Sequence, residues 1–192
     1  LANTDLPTDS GITSIKEVLR AHYLIAQYFL EEGGEGIAQV GPRGDLNLLA
    51  SAVARQITGF GERRKWLTVF EVAATLFYGL IQNHPFHDAN KRTAFLVALH
   101  HLKRHGFVPK AGQRKFENLA VDVADRRLND PERHPDFKWF RKQDDPEVRY
   151  VAHFFRRYTR KVDKTRYIVT FRQFNAILKQ FDCWLDEPSG NF

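Results

Sequence analysis

Methionine is absent from this 192-residue chain, and cysteine occurs once, at Cys183. A single cysteine forms no internal disulfide, and metal sites built from cysteine pairs at the usual spacing are excluded. The sequence has no run of about 18 apolar residues to span a bilayer, and its N-terminus lacks the basic-then-apolar pattern of a secretory signal. We therefore expect a cytoplasmic protein that works without a membrane.

Size and charge narrow the function classes further. The formal net charge is +6, and 16 residues are Phe. A chain of this length forms one domain of ordinary size with a core of its own, and leaves room for a small appendage. The positive charge favours an acidic partner such as a nucleotide or nucleic acid, although a basic solvated surface accounts for it equally well.

Helical periodicity dominates the chain up to residue 128. Apolar residues recur at helical spacing through the segments 15–30, 46–57, 69–83, 91–105 and 116–128. Ser14 with Glu17, and Thr68 with Glu71, have the spacing of a capping box, which marks a helix N-terminus. Asp45 is positioned to cap the second segment. The pattern predicts a mainly α fold.

Nine residues between the third and fourth segments carry the chemistry: His84-Pro85-Phe86-His87-Asp88-Ala89-Asn90-Lys91-Arg92. They form a short loop that runs into a helix N-terminus. Backbone N–H groups lack partners there and the helix dipole is positive, so such a terminus binds phosphate. The predicted phosphate ligands are Ala89, Asn90, Lys91 and Arg92.

Two further side chains complete the predicted site. Asp88 supplies a carboxylate oxygen, the ligand type that Mg²⁺ uses when it accompanies nucleotide phosphates. His84 precedes the phosphate donors, and histidine is the side chain that most often takes a proton from an attacking hydroxyl. Phe86 is expected to anchor the loop in the core. The loop therefore predicts a general base facing a site for a nucleoside triphosphate and Mg²⁺.

The same nine residues resemble the signature loop of the Fic/Doc superfamily. That loop reads H-P-F-x-x-G-N-G-R in the Fic branch and H-x-F-x-x-A-N-K-R in the death-on-curing (Doc) branch. Ala89 and Lys91 match the Doc branch. The positions that match both branches are His84, Phe86, Asp88, Asn90 and Arg92.

Lys91 bears on which reaction the resemblance implies. A glycine at this position leaves room for phosphates that a lysine side chain displaces. The Fic branch implies transfer of AMP to a target hydroxyl, whereas the Doc branch implies a reversed nucleotide and transfer of the γ-phosphoryl group. Lys91 therefore favours a kinase that uses MgATP to phosphorylate a Ser or Thr hydroxyl. The resemblance points to a toxin that arrests growth by modifying a translation elongation factor such as elongation factor Tu.

Two other functions stay open. AMP transfer remains compatible with the loop because a lysine side chain can swing away from a phosphate. A non-catalytic module that binds nucleic acid or a partner protein is the third hypothesis. On regulation, Phe95 stands where many Fic proteins have the arginine that pairs with an inhibitory helix. We therefore expect no self-inhibition and a separate antitoxin.

The stretch from Thr58 to Leu67 is glycine-rich and basic. In this superfamily the corresponding stretch is a flap that pairs with an extended segment of the target beside the catalytic loop. An ordinary connecting loop is the alternative interpretation. The flap residues that the resemblance assigns to target binding are Phe60, Gly61, Arg63 and Arg64.

The resemblance covers Ile15 to Leu128 and suggests three divisions of the chain. These are a flexible lead-in at 1–12, a Fic/Doc domain at 13–128 and a C-terminal extension at 129–192. A basic helix is expected from Pro146, followed by a short strand at 167–169 and a helix from Phe171. The predicted fold is a Fic/Doc-type helical bundle with a short flap and a small α+β appendage. The appendage either packs on the main domain or docks a partner protein or nucleic acid.

Overall fold

The computed structural model describes residues 11–31, 39–44, 46–60, 63–162 and 170–179. The chain divides into a larger unit, Leu1–Val162, and a smaller unit, Asp163–Phe192. In the described part of the larger unit the helices are α1 (Ile15–Glu31), α2 (Asn47–Ala54), α3 (Val69–Gln82), α4 (Asn90–Arg104), α5 (Gln113–Ala124) and α6 (Pro146–Tyr158). Short 3₁₀ turns occupy Arg55–Ile57 and Pro135–Trp139.

This unit contains two small antiparallel sheets, one within a local hairpin and one that joins distant parts of the chain. The first pairs β1 (Gly59–Phe60) with β2 (Arg63–Arg64). The second pairs β3 (Phe107–Pro109) with β4 (Thr159–Lys161). Because each strand has only two or three residues and helices make up most of the unit, the predicted mainly α fold is confirmed. The β3–β4 pair was not expected, since Phe107 to Lys115 reads as a loop when its partner strand is not known.

Both predicted capping boxes form. The Ser14 N–H donates to the Glu17 carboxylate at 2.7 Å, and the Glu17 N–H donates to the Ser14 hydroxyl at 3.2 Å. Thr68 and Glu71 repeat the exchange at the start of α3, at 2.9 and 3.2 Å. Each box satisfies two N–H groups that the helix leaves without a partner. Asp45, the predicted cap of α2, lies outside the described residues.

Helix α3 is the centre of the core, because α2, α4, α5 and α6 all pack against it. Phe77 and Leu80 of α3 are fully buried. A Cβ on Gly79 would lie 2.9 Å from the Arg55 side chain and 3.2 Å from the Ala52 carbonyl oxygen, so glycine lets α2 approach closely. Helix α6 contributes the buried Val151 and Phe155. It therefore belongs to the larger unit, which runs through Val162, whereas the sequence suggested a boundary after residue 128.

The smaller unit is described by its helix α7, Phe171–Lys179. Its first turn follows Thr170, whose carbonyl accepts the N–H of Phe174 at 2.9 Å. The predicted strand at 167–169 lies outside the described residues.

None of the described helices is long and apolar enough to cross a membrane.

Candidate active site

The signature loop leaves α3 and enters α4 through two strained residues. His84 and Ala89 have φ values of +46° and +56°, a left-handed conformation that side chains other than glycine adopt rarely. Each such residue costs roughly 1–2 kcal/mol, which the contacts around it must offset. Strain of this kind often accompanies functional loops. The contacts that hold this loop therefore show how its geometry is maintained.

Asn90 holds the loop from its C-terminal end. Its side-chain oxygen accepts the N–H of Phe86 at 2.9 Å, and its side-chain nitrogen donates to the carbonyl of Phe86 at 2.9 Å. Phe86 itself is 1% exposed, as expected for the anchor of the loop. The amide of Asn90 therefore closes the turn from Phe86 to Asn90, which connects the segment after His84 to the start of α4.

His22 of α1 supports the loop from below. Its ring stacks on Phe86 with centroids 3.9 Å apart and planes 6° apart. Its Nε2 accepts the N–H of Gly41 at 3.0 Å, so Nδ1 carries the proton and donates to the Thr93 hydroxyl at 3.1 Å. Burial lowers the pKa of His22, which keeps the ring neutral.

A second stretch of chain runs alongside the loop. Pro42 forms a β-bridge with Phe86. The N–H of Arg43 donates to the carbonyl of Pro85 at 2.8 Å, and the N–H of His87 donates to that of Gly41 at 3.3 Å. The loop is thus held by Asn90 at one end, by His22 underneath and by residues 41–43 along its side.

The N-terminus of α4 meets the requirements of a phosphate site. Ala89 is the N-cap, and its carbonyl accepts the N–H of Thr93 at 2.8 Å. The preceding N–H groups, of Asn90, Lys91 and Arg92, therefore have no acceptor within the helix. The side chains of Lys91 and Arg92 are both exposed. The guanidinium of Arg92 lies 4.2 Å from the centre of the Phe29 ring.

The residues present fit a magnesium ion that is carried by a nucleotide. Asp88 is half-buried and accepts the N–H of Ala89 through Oδ1. Among the described residues no cluster of three or more His, Cys, Asp or Glu side chains stands ready to hold a metal. Because Mg²⁺ is commonly bound by one or two carboxylates together with substrate phosphates, a single carboxylate such as that of Asp88 would suffice as the protein ligand.

The predicted flap is a β-hairpin. Gly59 faces Arg64 and Phe60 faces Arg63 across the strands. A Cβ on Gly59 would lie 2.1 Å from the Arg63 carbonyl oxygen, so only glycine permits this pairing. Phe60 is 94% exposed, and Arg63 and Arg64 are exposed as well. Gly61, the remaining predicted flap residue, lies outside the described residues. The target-binding role of the flap stays a prediction.

The base of the flap is fixed by residues that open α6. The ammonium of Lys65 forms ion pairs with both Asp144 and Asp145, which raise the pKa of Lys65. Trp66 is buried, and the Arg149 guanidinium lies 5.8 Å from its ring centre. Arg149 also reaches the Glu71 carboxylate at 3.4 Å. We call Lys65, Trp66, Asp144, Asp145 and Arg149 the flap anchor.

Two of these features were not identified from the sequence. His22 has no local signal, because its partners lie 19 and 71 residues away. The flap anchor joins residues about 80 apart. The sequence offers one hint, which is that His22 lies within the apolar stripe of α1.

Residues 12–102 of the chain match the family model described as Fic/DOC family. The matched segment runs from just before α1 to the last turns of α4 and contains the whole signature loop. The fold and this match support the Fic/Doc superfamily for the segment, without distinguishing its branches. Members of this family are typically transferases that modify hydroxyl groups of proteins, and they generally use ATP and Mg²⁺. A comparison with curated proteins finds no match.

Proposed function

We propose that this chain is a Doc-like kinase that transfers the γ-phosphoryl group of ATP to a Ser or Thr hydroxyl of another protein. The observation that supports the proposal is the signature loop, which carries an exposed His84 and leads into the N-terminus of α4 at Asn90. Lys91 is the residue that favours phosphoryl transfer over AMP transfer, because its side chain occupies the position that glycine leaves open in the Fic branch.

In the proposed phosphoryl transfer, each residue of the signature loop has a separate role. His84 takes the proton of the target hydroxyl as its oxygen bonds to the γ-phosphorus, and the bond to the β-phosphate oxygen breaks to release ADP. The backbone N–H groups of Asn90, Lys91 and Arg92 bind phosphate oxygens, and the two cationic side chains balance their charge. Mg²⁺ bound with the nucleotide would supply further neutralising charge, with Asp88 as its protein ligand.

The same resemblance supports the remaining elements of the proposal. The target is an elongation factor Tu-like protein, whose extended segment pairs with the hairpin at 59–64. The position of Phe95, where other Fic proteins have a regulatory arginine, supports inhibition by a separate antitoxin. The exposed arginines of α6, Arg156 and Arg157, support an additional contact with nucleic acid.

The test is the mass that the purified chain adds to elongation factor Tu in the presence of MgATP. We expect a gain of one phosphoryl group, lost in His84→Ala and kept in His87→Ala, which removes a second exposed histidine of the same loop. ATP binding should survive in His84→Ala because the base contacts the target hydroxyl. A gain matching AMP would replace the kinase with the AMP-transfer hypothesis. No gain would refute this target.

A further inference from the structure

An apolar cavity of about 530 Å³ adjoins the signature loop, where side chains of α1, α4 and α5 come together. Its volume is within the usual range for small-molecule sites. Lys91 and Arg92, the two cations of the predicted phosphate site, line the cavity from the first turn of α4. The apolar side chains that line it are Ile25, Phe29, Phe95, Leu96, Ala120 and Val121. Apolar surface and phosphate-binding groups therefore adjoin each other.

Aromatic rings on two helices give this cavity walls on which a flat ring can stack. Phe29 of α1 and Phe95 of α4 are half-buried, and Tyr28 of α1 is 57% exposed. Val121 of α5, which also lines the cavity, is 38% exposed. Contiguous apolar surface left open to solvent often marks a binding site. Nucleobases stack on aromatic side chains, and each stacked base adds substantially to affinity.

The two cations that line the cavity are available to a ligand. The Arg92 guanidinium lies 4.2 Å from the centre of the Phe29 ring. Lys91 and Arg92 are exposed, and neither forms an ion pair with a residue in the described part of the chain. The N–H groups of the first turn of α4 have no acceptor within the helix. The charge of a triphosphate complements these groups, and the nucleoside bonded to it is the part that needs apolar surface.

Helix α5 adds hydrogen-bond acceptors to the lining of the cavity. The side-chain nitrogen of Gln113 donates to Oε1 of Glu117 at 2.6 Å. That bond directs the donor end of the Gln113 amide to Glu117, so the Gln113 oxygen and Oε2 of Glu117 are left as acceptors. Among the described residues neither oxygen accepts a hydrogen bond. A ligand that displaces water there must donate, as the exocyclic amino group of adenine does.

We propose that the cavity between α1, α4 and α5 holds the adenine ring of a nucleotide whose phosphates lie at the N-terminus of α4. Its amino group donates to Gln113 and Glu117. This inference rests on the proposed function, which supplies the nucleotide, and it adds the residues that select the base. An apolar side chain of a partner protein would also fill the cavity, but it would leave two cations and two acceptors without partners.

The experiment is a calorimetric titration of the full chain with three magnesium-bound ligands. These are ATP, purine riboside triphosphate, which lacks the amino group, and tripolyphosphate, which lacks the nucleoside. We expect ATP to bind about tenfold more tightly than purine riboside triphosphate, as for the loss of one hydrogen bond to a charged acceptor. Tripolyphosphate should bind about tenfold more weakly again, because it has no ring to stack in the cavity.

Two variants with matched controls place the base in this cavity. Glu117→Ala should bring ATP to the affinity of purine riboside triphosphate, whereas Glu132→Ala, which removes an exposed carboxylate outside the cavity, should keep the tenfold difference. Tyr28→Ala should weaken the binding of ATP several-fold and leave that of tripolyphosphate unchanged. Leu24→Ala, at an exposed position of α1 that does not line the cavity, should bind all three ligands as the wild type does.

The outcomes separate this inference from the function on which it rests. Equal affinity for ATP and tripolyphosphate would overturn the base site and leave the phosphate site at α4 in place, with the cavity open to a partner protein. An undiminished preference for ATP in Glu117→Ala would overturn the assignment of the amino group. If neither ligand bound, the base site and the proposed function would fail together. A chain that binds as expected but transfers no phosphoryl group would retain the base site and lose the proposed reaction.

Discussion

Replacing Asn90 with alanine tests how the signature loop is held together. The substitution removes both hydrogen bonds between the Asn90 amide and the backbone of Phe86. Since Phe86 is 1% exposed, its N–H and carbonyl would then be buried without a partner. Each unsatisfied buried group costs about 1–3 kcal/mol, and local relaxation recovers part of that cost. We expect the free energy of unfolding to fall by about 2–4 kcal/mol.

The assay is urea denaturation of the nucleotide-free chain. Asn83→Ala is the matched control, because the half-buried Asn83 donates to the Leu48 carbonyl in a solvent-exposed hydrogen bond of 3.3 Å. A solvated hydrogen bond of this kind contributes little, so the control should stay within about 0.5 kcal/mol of the wild type. Nucleotide binding is then measured on both variants.

The result also separates two roles for Asn90. From the sequence its amide was assigned to phosphate, whereas in the fold it holds the backbone of Phe86. If Asn90→Ala kept wild-type stability and lost only nucleotide binding, the amide would be a direct phosphate ligand and our account of the loop would fail. A large loss of stability without nucleotide present supports the structural role. In that role Asn90 would affect the proposed reaction indirectly, by holding the loop that carries His84.

Two further predictions concern the buried His101 and Lys65 of the flap anchor. Burial, with a smaller contribution from His105 and Arg104, lowers the pKa of His101 to about 3, so below pH 6.5 the unfolded chain binds a proton that the native chain excludes. The free energy of unfolding should therefore fall by up to about 1.4 kcal/mol per pH unit from pH 6.5 towards pH 3. His101→Gln should flatten that slope in denaturation measured across this range, while His100→Gln, at an exposed position, should keep it. In the flap anchor, Lys65→Ala should raise the KM for the protein target and leave kcat unchanged, whereas Lys65→Arg should behave as the wild type in the same steady-state assay. An equal loss of kcat in Lys65→Ala would show that the anchor does not act through target docking.

The parts of this structure that the sequence predicts are governed by neighbouring residues. Helix starts at Ser14 and Thr68 follow from capping boxes that span three residues. The position of the signature loop follows from two helical patterns that flank it. These interactions are local, so the residue types and their spacing are enough to identify them.

The parts that escaped prediction depend on residues that are distant in sequence. The neutral ring of His22 is set by Gly41, Thr93 and Phe86, and no pattern within α1 reveals that arrangement. His101 is similar, since it is close in sequence to the charged Lys103 and Arg104, yet it is 2% exposed and bonded to Thr13. The strand at Phe107 is recognisable once its partner at Lys161 is known.

The segment that matches the family ends at residue 102, whereas the larger folded unit runs through Val162, and the flap anchor links the two parts. Lys65 and Trp66 within the matched segment are held by Asp144, Asp145 and Arg149 beyond it. Helix α6, which these residues open, also buries Val151 and Phe155 against the central helix α3. Helix α6, although it lies after residue 128, is therefore part of the core of the larger unit. Asp144 and Asp145, at the start of this helix, also hold Lys65 at the base of the β1–β2 hairpin.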